Sequence, residues 1–409
     1  MSGVAAHRLT TAHLQAAYPF VAEGGLGAPG TYIGRDLFGG AFVYDAFELY
    51  SAGVLTSPNM LVAGQIGRGK SALIKTYVWR QRAFGRRAVI MDPKGEYGAL
   101  AAACGVTPIR LEPGGRLRLN PLDKRVTRDA QLRLLHAISS AALERTLSPT
   151  EKTALQLALD SAGARAPEAT ALPLVVDALL HPTPEAGESV GASHASVIDW
   201  GREVGFELRR LVAGDLAGMF DEPTSVSIDL NAPLVVLDLS AVYDSDALGI
   251  LMTCAAAWLQ GLLAEQTGTK TIFVLDEAWA ILANLGIARW LQSSFKLSRA
   301  YGLQNIAVLH RFSDLTATGA AGSHTERVAR GLLSDAETRV VLGQSAAEVA
   351  ATKDLLGLTA TEAELLPSLD RGVALWKVAQ RSFLVEHRIG RSEAAIVDTD
   401  SRMAGAVPA

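Results

Sequence analysis

A glycine-rich segment with the spacing G-x-x-x-x-G-K-S lies between an apolar run and a helix-forming run. Its glycines would let successive backbone N–H groups converge on a phosphate chain, and the helix that follows would add its positive N-terminal end. The lysine could reach the β- and γ-phosphates of a nucleotide, and the serine could offer its hydroxyl to Mg²⁺. The predicted nucleotide-binding residues are Gly64, Gln65, Ile66, Gly67, Arg68, Gly69, Lys70, Ser71 and Ala72.

An acidic pair ends a continuous apolar run farther along the chain. Asp276 and Glu277 follow Thr271–Leu275, which reads as a buried strand. In a phosphate-loop enzyme, an aspartate at such a strand end can hold Mg²⁺, and a glutamate after it can polarise the attacking water. We therefore expect Asp276 to be a metal ligand together with Ser71, and Glu277 to be a catalytic residue alongside Lys70.

A second acidic pair follows the predicted strand Ala88–Met91. Open α/β sheets bind ligands above the carboxyl ends of their strands, so Asp92 and Glu96 could face the same crevice as the first pair. Two interpretations stay open. Asp92 could be a metal ligand and Glu96 a catalytic residue, or both could cap the helix that follows.

One histidine and three arginines are further catalytic candidates. His310 ends the predicted strand Asn305–Leu309, where it could sense the γ-phosphate or be a hydrogen-bonded core histidine. An arginine could neutralise transition-state charge, within its own subunit or in a neighbouring one, or form only a surface ion pair. The candidates for this role are Arg299, Arg339 and Arg371.

The composition describes a globular chain without an overall nucleic-acid signature. Hydrophobic residues make up 49% of the chain, charged residues 20%, and the net charge is −4. Any contact with a polyanion must therefore come from a local patch. Two basic runs could form one, although a solvated helix face is the favoured interpretation of each: Arg80, Arg82, Arg86 and Arg87, and Arg202, Arg209 and Arg210.

Cysteine content and hydropathy favour a cytoplasmic protein. The two cysteines, Cys104 and Cys254, are far apart in sequence, which excludes a disulfide scaffold or a cysteine-rich zinc site. The apolar stretch 247–264 has a borderline length for a membrane span. Strand-like runs on both sides of it favour a buried helix instead, so we expect no membrane span.

Apolar runs that alternate with helical segments predict an α/β fold, with a mostly parallel sheet covered by helices on both faces. Residues 124–225 depart from this pattern, because they read as helices without a strong strand. The predicted organisation is an N-terminal lead-in at 1–57, a nucleotide-binding α/β domain at 58–123 and 226–390, a helical insertion subdomain at 124–225 and a flexible tail at 391–409.

Four motifs together resemble the conjugative-transfer and type IV secretion ATPases of the HerA–FtsK class. The motifs are the phosphate loop, Asp92-Pro-Lys-Gly-Glu-Tyr97, Arg118-Leu-Asn-Pro-Leu122 and Val274-Leu-Asp-Glu-Ala-Trp279. The second is the most discriminating, because most other phosphate-loop families lack it. The resemblance covers roughly residues 30–380.

The resemblance implies a RecA-like (ASCE) phosphate-loop fold, with ATP and Mg²⁺ as nucleotide and cofactor. Lys70, Ser71, Asp276 and Glu277 match the family's site residues. The family implies a homo-oligomer, usually a hexameric ring with sites between subunits and an arginine finger supplied in trans.

The family also implies work on a polymer. The favoured function is a ring motor that drives the transfer of DNA. The alternatives are an ATPase that powers protein secretion or the assembly of a membrane-embedded secretion complex, and a nucleotide-dependent assembly factor with little turnover. Each would place the protein in the cytoplasm, with peripheral association at the cytoplasmic face of the cell membrane as a further expectation.

Overall fold

The computed structural model describes most of the chain around a central sheet. The described residues are 25–38, 40–124, 126–225, 232–243, 245, 248–252, 254–255, 269–278, 292, 295–296, 298–310, 331 and 335–397. The apolar stretch 247–264 lies mostly outside them, as do residues 1–24 of the predicted lead-in. None of the helices in the described part is long and apolar enough to cross a membrane.

Eleven described strands form one sheet. They are β1 (Thr31–Asp36), β2 (Ala41–Tyr44), β3 (Met60–Ala63), β4 (Arg87–Asp92), β5 (Ile109–Arg110), β6 (Leu234–Asp238), β7 (Thr271–Leu275), β8 (Leu303–Leu309), β9 (Thr338–Leu342), β10 (Val373–Val378) and β11 (Arg381–His387). Their order across the sheet is β2-β1-β11-β10-β9-β3-β8-β7-β4-β6-β5.

The strands from β9 to β5 in that order are all parallel. They are apolar on both faces because both faces are covered, and every residue of β3 and β8 is buried. Neighbouring residues such as Leu61 and Val62 contribute to two different hydrophobic clusters, one on each side of the sheet. The predicted α/β fold with a mostly parallel sheet is therefore confirmed.

The remaining strands form an antiparallel extension at one edge. The described part of the predicted lead-in supplies two of them, β1 and β2, so it extends the sheet rather than only packing beside the nucleotide loop. The ring of Trp376 on β10 lies 5.2 Å from that of Phe42 and 5.3 Å from that of Tyr44, measured between centroids. These buried contacts join the lead-in to the core of the α/β domain.

The described helices cover the sheet and build the insertion. They are α1 (Ala46–Ser51), α2 (Lys70–Gln81), α3 (Gly98–Ala103), α4 (Arg128–Ala142), α5 (Pro149–Arg165), α6 (Leu172–Leu180), α7 (His194–Ala213), α8 (Val349–Leu356), α9 (Ala360–Leu365) and α10 (Ala394–Val397). Short 3₁₀ helices lie at Arg82–Phe84, Pro184–Val190, Ser240–Val242, Ala346–Glu348, Leu366–Ser368 and Arg391–Glu393.

Residues 126–225 contain helices and no strand. Ser148 and Glu151 form a reciprocal capping box at the start of α5, which satisfies two backbone donors of its first turn. Leucines of α4 to α7 belong to the same hydrophobic cluster as one face of the sheet. The helices therefore rest on the α/β core.

The segment after β11 is folded for at least part of its length. Residues 391–397 form a 3₁₀ turn followed by α10, where the sequence predicted the start of a flexible tail. Glu393 pairs with Arg80 of α2 at 2.6 Å, and both side chains are largely buried. This ion pair links residues 391–397 to α2, the helix that follows the phosphate loop. Residues 398–409 lie outside the described part.

Candidate active site

The predicted phosphate loop connects β3 to α2 at the carboxyl edge of the parallel strands. Gly69 stands immediately before α2 with φ of 104°, a conformation that favours glycine. A Cβ on Gly64 would lie 2.7 Å from Cβ of Leu342 on the neighbouring strand β9. Both glycines are thus required by backbone geometry, one for the turn and one for close packing.

Hydrogen bonds with neighbouring segments hold the phosphate loop in place. The backbone N–H of Gln65 donates to the carbonyl of Gly343 at 3.0 Å, and the N–H of Gly372 donates to the carbonyl of Arg68 at 3.1 Å. The Arg68 guanidinium donates to the carbonyl of Leu369 at 3.2 Å. The loop shape is therefore set largely by contacts with the chain after β9 and before β10, which the sequence motif alone does not reveal.

Lys70 lies within the curl of the loop. Its Nζ donates to the carbonyls of Gly64 at 2.5 Å and Gln65 at 3.3 Å, and the residue is only 6% exposed. Burial lowers the pKa of Lys70 to about 8, while the charges of Asp276 and Glu277 act in the opposite direction. The ammonium group is therefore held against the backbone of the loop.

Asp276 follows β7 in a buried position. Its Oδ2 accepts a hydrogen bond from the phenol of Tyr97 at 3.0 Å, and its Oδ1 accepts one from the backbone N–H of Glu277 at 3.0 Å. Burial raises the pKa of Asp276 to about 6; the charge of Glu277 adds to this effect, and the hydrogen bond from Tyr97 opposes it. A cation at this place would stabilise the ionised carboxylate.

Glu277 joins two neighbouring strand ends. Its Oε1 accepts a hydrogen bond from Nε2 of His310 at 2.6 Å and forms an ion pair with Nζ of Lys94. His310 therefore lies in the site, next to the predicted catalytic glutamate, rather than in the hydrophobic core. The side chain of Glu277 is only 2% exposed, against 22% for His310 and 30% for Lys94.

Asp92 organises the loop after β4. Its Oδ1 accepts from the backbone N–H of Glu96 at 3.0 Å, and its Oδ2 accepts from that of Tyr97 at 2.9 Å. Burial raises the pKa of Asp92 to about 6, although these two hydrogen bonds oppose the rise. Both hydrogen bonds come from the loop before α3, not from the first turn of that helix, so the capping and metal-ligand interpretations of Asp92 both stay predictions. Glu96 lies close enough to Asp276 for its charge to raise the pKa of that residue.

The oxygen donors at this edge fit Mg²⁺. Among the described residues, no cluster of three or more His, Cys, Asp or Glu side chains could hold a metal ion. Mg²⁺ does not need such a cluster, because it often takes one or two protein oxygens and completes its octahedron with water and substrate phosphates. Asp276 is a buried carboxylate among like charges, and Ser71 carries a hydroxyl in the first turn of α2. These two groups suit that mode of binding.

The three candidate arginines lie at different edges of the sheet. Arg299 is exposed in the turn before β8, and Arg339 is the second residue of β9, so both lie toward the amino ends of the parallel strands. The Arg339 guanidinium donates to the carbonyls of Ala336 and Leu356 within its own chain. Arg371 instead precedes Gly372, whose backbone contacts the phosphate loop. Neither Arg299 nor Arg339 is therefore placed to act on the site of its own chain.

Arginines from both basic runs form ion pairs within the chain. The pairs are Arg80 with Glu393 at 2.6 Å, Arg86 with Asp45 at 3.3 Å, Arg202 with Asp199 at 3.3 Å and Arg210 with Asp215 at 2.9 Å. This arrangement favours the interpretation of both runs as locally compensated helix surfaces.

Sequence analysis did not predict a functional role for two residues of the site, Lys94 and Tyr97. Both belong to the Asp-Pro-Lys-Gly-Glu-Tyr segment, so the motif itself was the available signal. Their contacts with Glu277 and Asp276 depend on β4 lying next to β7, and the two strands are far apart in sequence. Knowledge of the strand order was therefore needed to find them.

Solved structures share this fold. VirB4 of Thermoanaerobacter pseudethanolicus superposes with a TM-score of 0.76 at 21% identity, covering 92% of this chain and 99% of that one. The bacterial conjugative coupling protein TrwB, in its ΔN70 form, gives a TM-score of 0.58 at 17% identity, covering 81% and 85%. TrwB also has structures with a non-hydrolysable ATP analogue and with ADP and Mg²⁺. The RecA-like phosphate-loop fold is therefore confirmed.

Comparisons at the level of sequence add nothing to this result. No family model matches the chain, and no curated protein matches it either. The similarity to VirB4 and TrwB is thus one of fold, and function has to be argued from the site.

Proposed function

We propose that this protein is an ATP-hydrolysing ring motor that drives the transfer of DNA in a conjugation-like process. The observation that carries the proposal is the convergence of Lys70, Asp276 and Glu277 at the carboxyl edge of the parallel sheet. The fold supports it, because VirB4 and TrwB have the same architecture and TrwB binds an ATP analogue and ADP with Mg²⁺.

In the proposed reaction, each group of the site has one task. The loop amides and Lys70 bind the phosphates of ATP, and Asp276 with Ser71 holds Mg²⁺, which neutralises charge on the phosphates when bound. Glu277 orients the attacking water and accepts its proton. The buried position of Glu277 keeps other water away from this carboxylate, which strengthens its interaction with the one water that enters.

We further propose a homo-oligomer, with a hexameric ring as the favoured state and sites between subunits. Ile66 at the tip of the phosphate loop is 74% exposed, and a neighbouring subunit would cover this apolar side chain. Arg299, which is exposed at the opposite edge of the sheet, could then reach the site of the next subunit as an arginine finger. The protein would work in the cytoplasm, at the cytoplasmic face of a membrane-embedded secretion complex.

A second candidate is an ATPase whose cargo is protein. The ion pairs of the basic runs favour it, because Arg80, Arg86, Arg202 and Arg210 each have an acidic partner in the chain. The net charge of −4 also provides no overall attraction for DNA. A nucleotide-dependent assembly factor with little turnover is the third alternative, and the intact Asp276–Glu277 pair argues against it.

Steady-state ATP hydrolysis, measured with and without single- and double-stranded DNA at two salt concentrations, separates these candidates. A DNA motor predicts stimulation that weakens as salt rises, because phosphate contacts release counterions. Hydrolysis that is indifferent to DNA would favour the protein-cargo candidate. A site that binds ATP fully without turnover would support the assembly factor.

A further inference from the structure

We propose that Lys94 is a positioning residue for Glu277: its ammonium group holds the Glu277 carboxylate in the place from which it acts on water. The inference rests on the proposed ATPase function and adds a residue to its machinery. Lys94 lies in the loop after β4, which two strands separate from the phosphate-loop strand β3, and its role is inferred from the contacts of its Nζ. Those contacts are with two side chains of the site.

The strand order brings three loops together. β4, β7 and β8 are adjacent and parallel, with Met91 opposite Leu275 and Leu275 opposite Ala307. Their carboxyl ends therefore lie side by side. Lys94 comes from the β4 side and His310 from the β8 side, and the two meet at Glu277 in the middle.

Both neighbours act on the same oxygen of the glutamate. Lys94 Nζ forms an ion pair with Oε1 of Glu277, His310 Nε2 lies 2.6 Å from that oxygen, and Lys94 Nζ lies 3.2 Å from His310 Nε2. Lys70 is directed elsewhere, since its Nζ donates to loop carbonyls. A carboxylate as buried as Glu277 needs a cation in contact with it, and Lys94 supplies that cation.

The backbone of Glu277 also needs support. Its φ of 54° lies in the left-handed region, which is unfavourable for a residue with a Cβ and persists only where the surroundings hold it. Its N–H donates to Oδ1 of Asp276, which fixes the residue from the backbone side. The ion pair with Lys94 fixes it from the side-chain end.

The loop that carries Lys94 is itself well held. The carboxylate of Asp92 accepts two backbone hydrogen bonds from this loop, and Gly95 adopts φ of 69°. The ring of Tyr243 lies beneath the ammonium group, with its centroid 5.6 Å from Nζ of Lys94. These contacts restrict the positions that the Lys94 side chain can take. Its ammonium group is therefore directed toward Glu277.

Four variants test the role: Lys94→Met, Lys94→Arg, Glu277→Gln and the Lys94→Met/Glu277→Gln double variant. Single-turnover ATP hydrolysis and equilibrium binding of a fluorescent ATP analogue are measured for each. We expect Lys94→Met to slow hydrolysis about tenfold or more while the Kd changes less than about threefold, and Lys94→Arg to recover most of the rate. In the Glu277→Gln background, Lys94→Met should change the rate less than about twofold.

Thermal unfolding of the nucleotide-free variants gives a readout that does not depend on hydrolysis. Lys94→Met removes a cation that contacts the buried carboxylate and should lower the Tm, and adding Glu277→Gln should raise the Tm again. Independent Tm losses that simply add would overturn the ion pair as a coupled unit.

The kinetic outcomes separate this inference from the proposed function. If the wild-type protein hydrolyses ATP and Lys94→Met leaves the rate unchanged, the role of Lys94 is wrong and the ATPase stands. A Kd that rises as much as the rate falls would make Lys94 a nucleotide-binding residue instead. Rate losses that multiply in the double variant would show that Lys94 does not act through Glu277, which would overturn the inference. A wild-type protein without ATP hydrolysis would contradict the proposed function itself.

Discussion

The phenol of Tyr97 donates a hydrogen bond to Oδ2 of Asp276 at 3.0 Å, and both residues are buried. The bond links the loop after β4 to the end of β7, the neighbouring parallel strand. It fixes the direction of the carboxylate that we propose as a ligand of Mg²⁺. Removing a group that orients a metal ligand in this way typically lowers metal affinity or activity about 10- to 100-fold.

Replacing Tyr97 by Phe should therefore weaken the use of Mg²⁺. We expect the Mg²⁺ concentration for half-maximal ATP hydrolysis to rise about tenfold, because Asp276 loses the donor that orients it. Tyr77→Phe is a matched control, since this buried phenol donates to Gln304 at 2.8 Å instead of to a candidate metal ligand. An unchanged Mg²⁺ requirement in Tyr97→Phe would show that the hydrogen bond has no such role.

We expect the buried His387 to make the free energy of unfolding depend on pH. Burial, with the charge of Arg80 adding to it, lowers the pKa of His387 to about 4, and its Nε2 lies 2.7 Å from Oγ1 of Thr76. An unfolded chain binds this proton near pH 6.5, so between pH 6.5 and 4 the native state holds fewer protons than the unfolded state. The contribution of neutral His387 is complete above that window and is lost as the pH falls through it.

The size of this effect follows from the pKa difference, which corresponds to about 3 kcal/mol of unfolding free energy. Urea unfolding of the wild type and of His387→Asn at pH 7 and pH 4.5 measures it. We expect the stability advantage of the wild type to shrink by about that amount at the lower pH. Parallel losses in the two proteins would rule out His387 as the titrating group.

Substitution of Arg80 tests whether the first basic run stabilises the fold or binds DNA. Its guanidinium pairs with Glu393 and donates to the carbonyls of Tyr32 and Arg388. Arg80→Met should lower the unfolding free energy by about 2 kcal/mol or more, because Glu393 would be left largely buried without its partner. Arg82→Met is the control, since that arginine stacks on Trp79, with a distance of 4.9 Å to the ring centroid, and contacts the thiol of Cys104. Its loss should cost less than about 1 kcal/mol.

A DNA-binding role for Arg80 predicts a different result. In that case, Arg80→Met would reduce the salt-dependent stimulation of ATP hydrolysis by DNA and would leave the urea midpoint unchanged. Measuring both quantities on the same variant therefore distinguishes a structural arginine from a cargo-binding one.

The sequence alone predicted those structural features that depend on residues close together in the chain. The phosphate loop requires glycines at fixed positions before a helix, and Gly69 indeed takes the left-handed backbone that only this residue accepts readily. The strand Thr271–Leu275 is apolar from Ile272 onward because both faces of the sheet are covered, and the structure gives it the predicted bounds.

The contacts and positions that the sequence could not predict depend on the order of the strands in the sheet. The two interpretations of Asp92 differ only in where its oxygens point, and the loop N–H groups that hold them are fixed by the turn after β4. The contact of Lys94 with Glu277 requires that β4 and β7 be neighbours, which no local pattern encodes. Arg339 was a finger candidate by residue type alone, and the parallel pairing of β9 with β3 places it at the edge of the sheet opposite the phosphate loop.

The central claim is that Glu277 activates water for ATP hydrolysis, and Glu277→Gln tests it most directly. The substitution keeps the size of the side chain and removes its capacity to accept a proton at neutral pH. We predict that the variant binds a fluorescent ATP analogue with the affinity of the wild type and hydrolyses ATP at least about tenfold more slowly. Turnover equal to that of the wild type would contradict the assignment of this site.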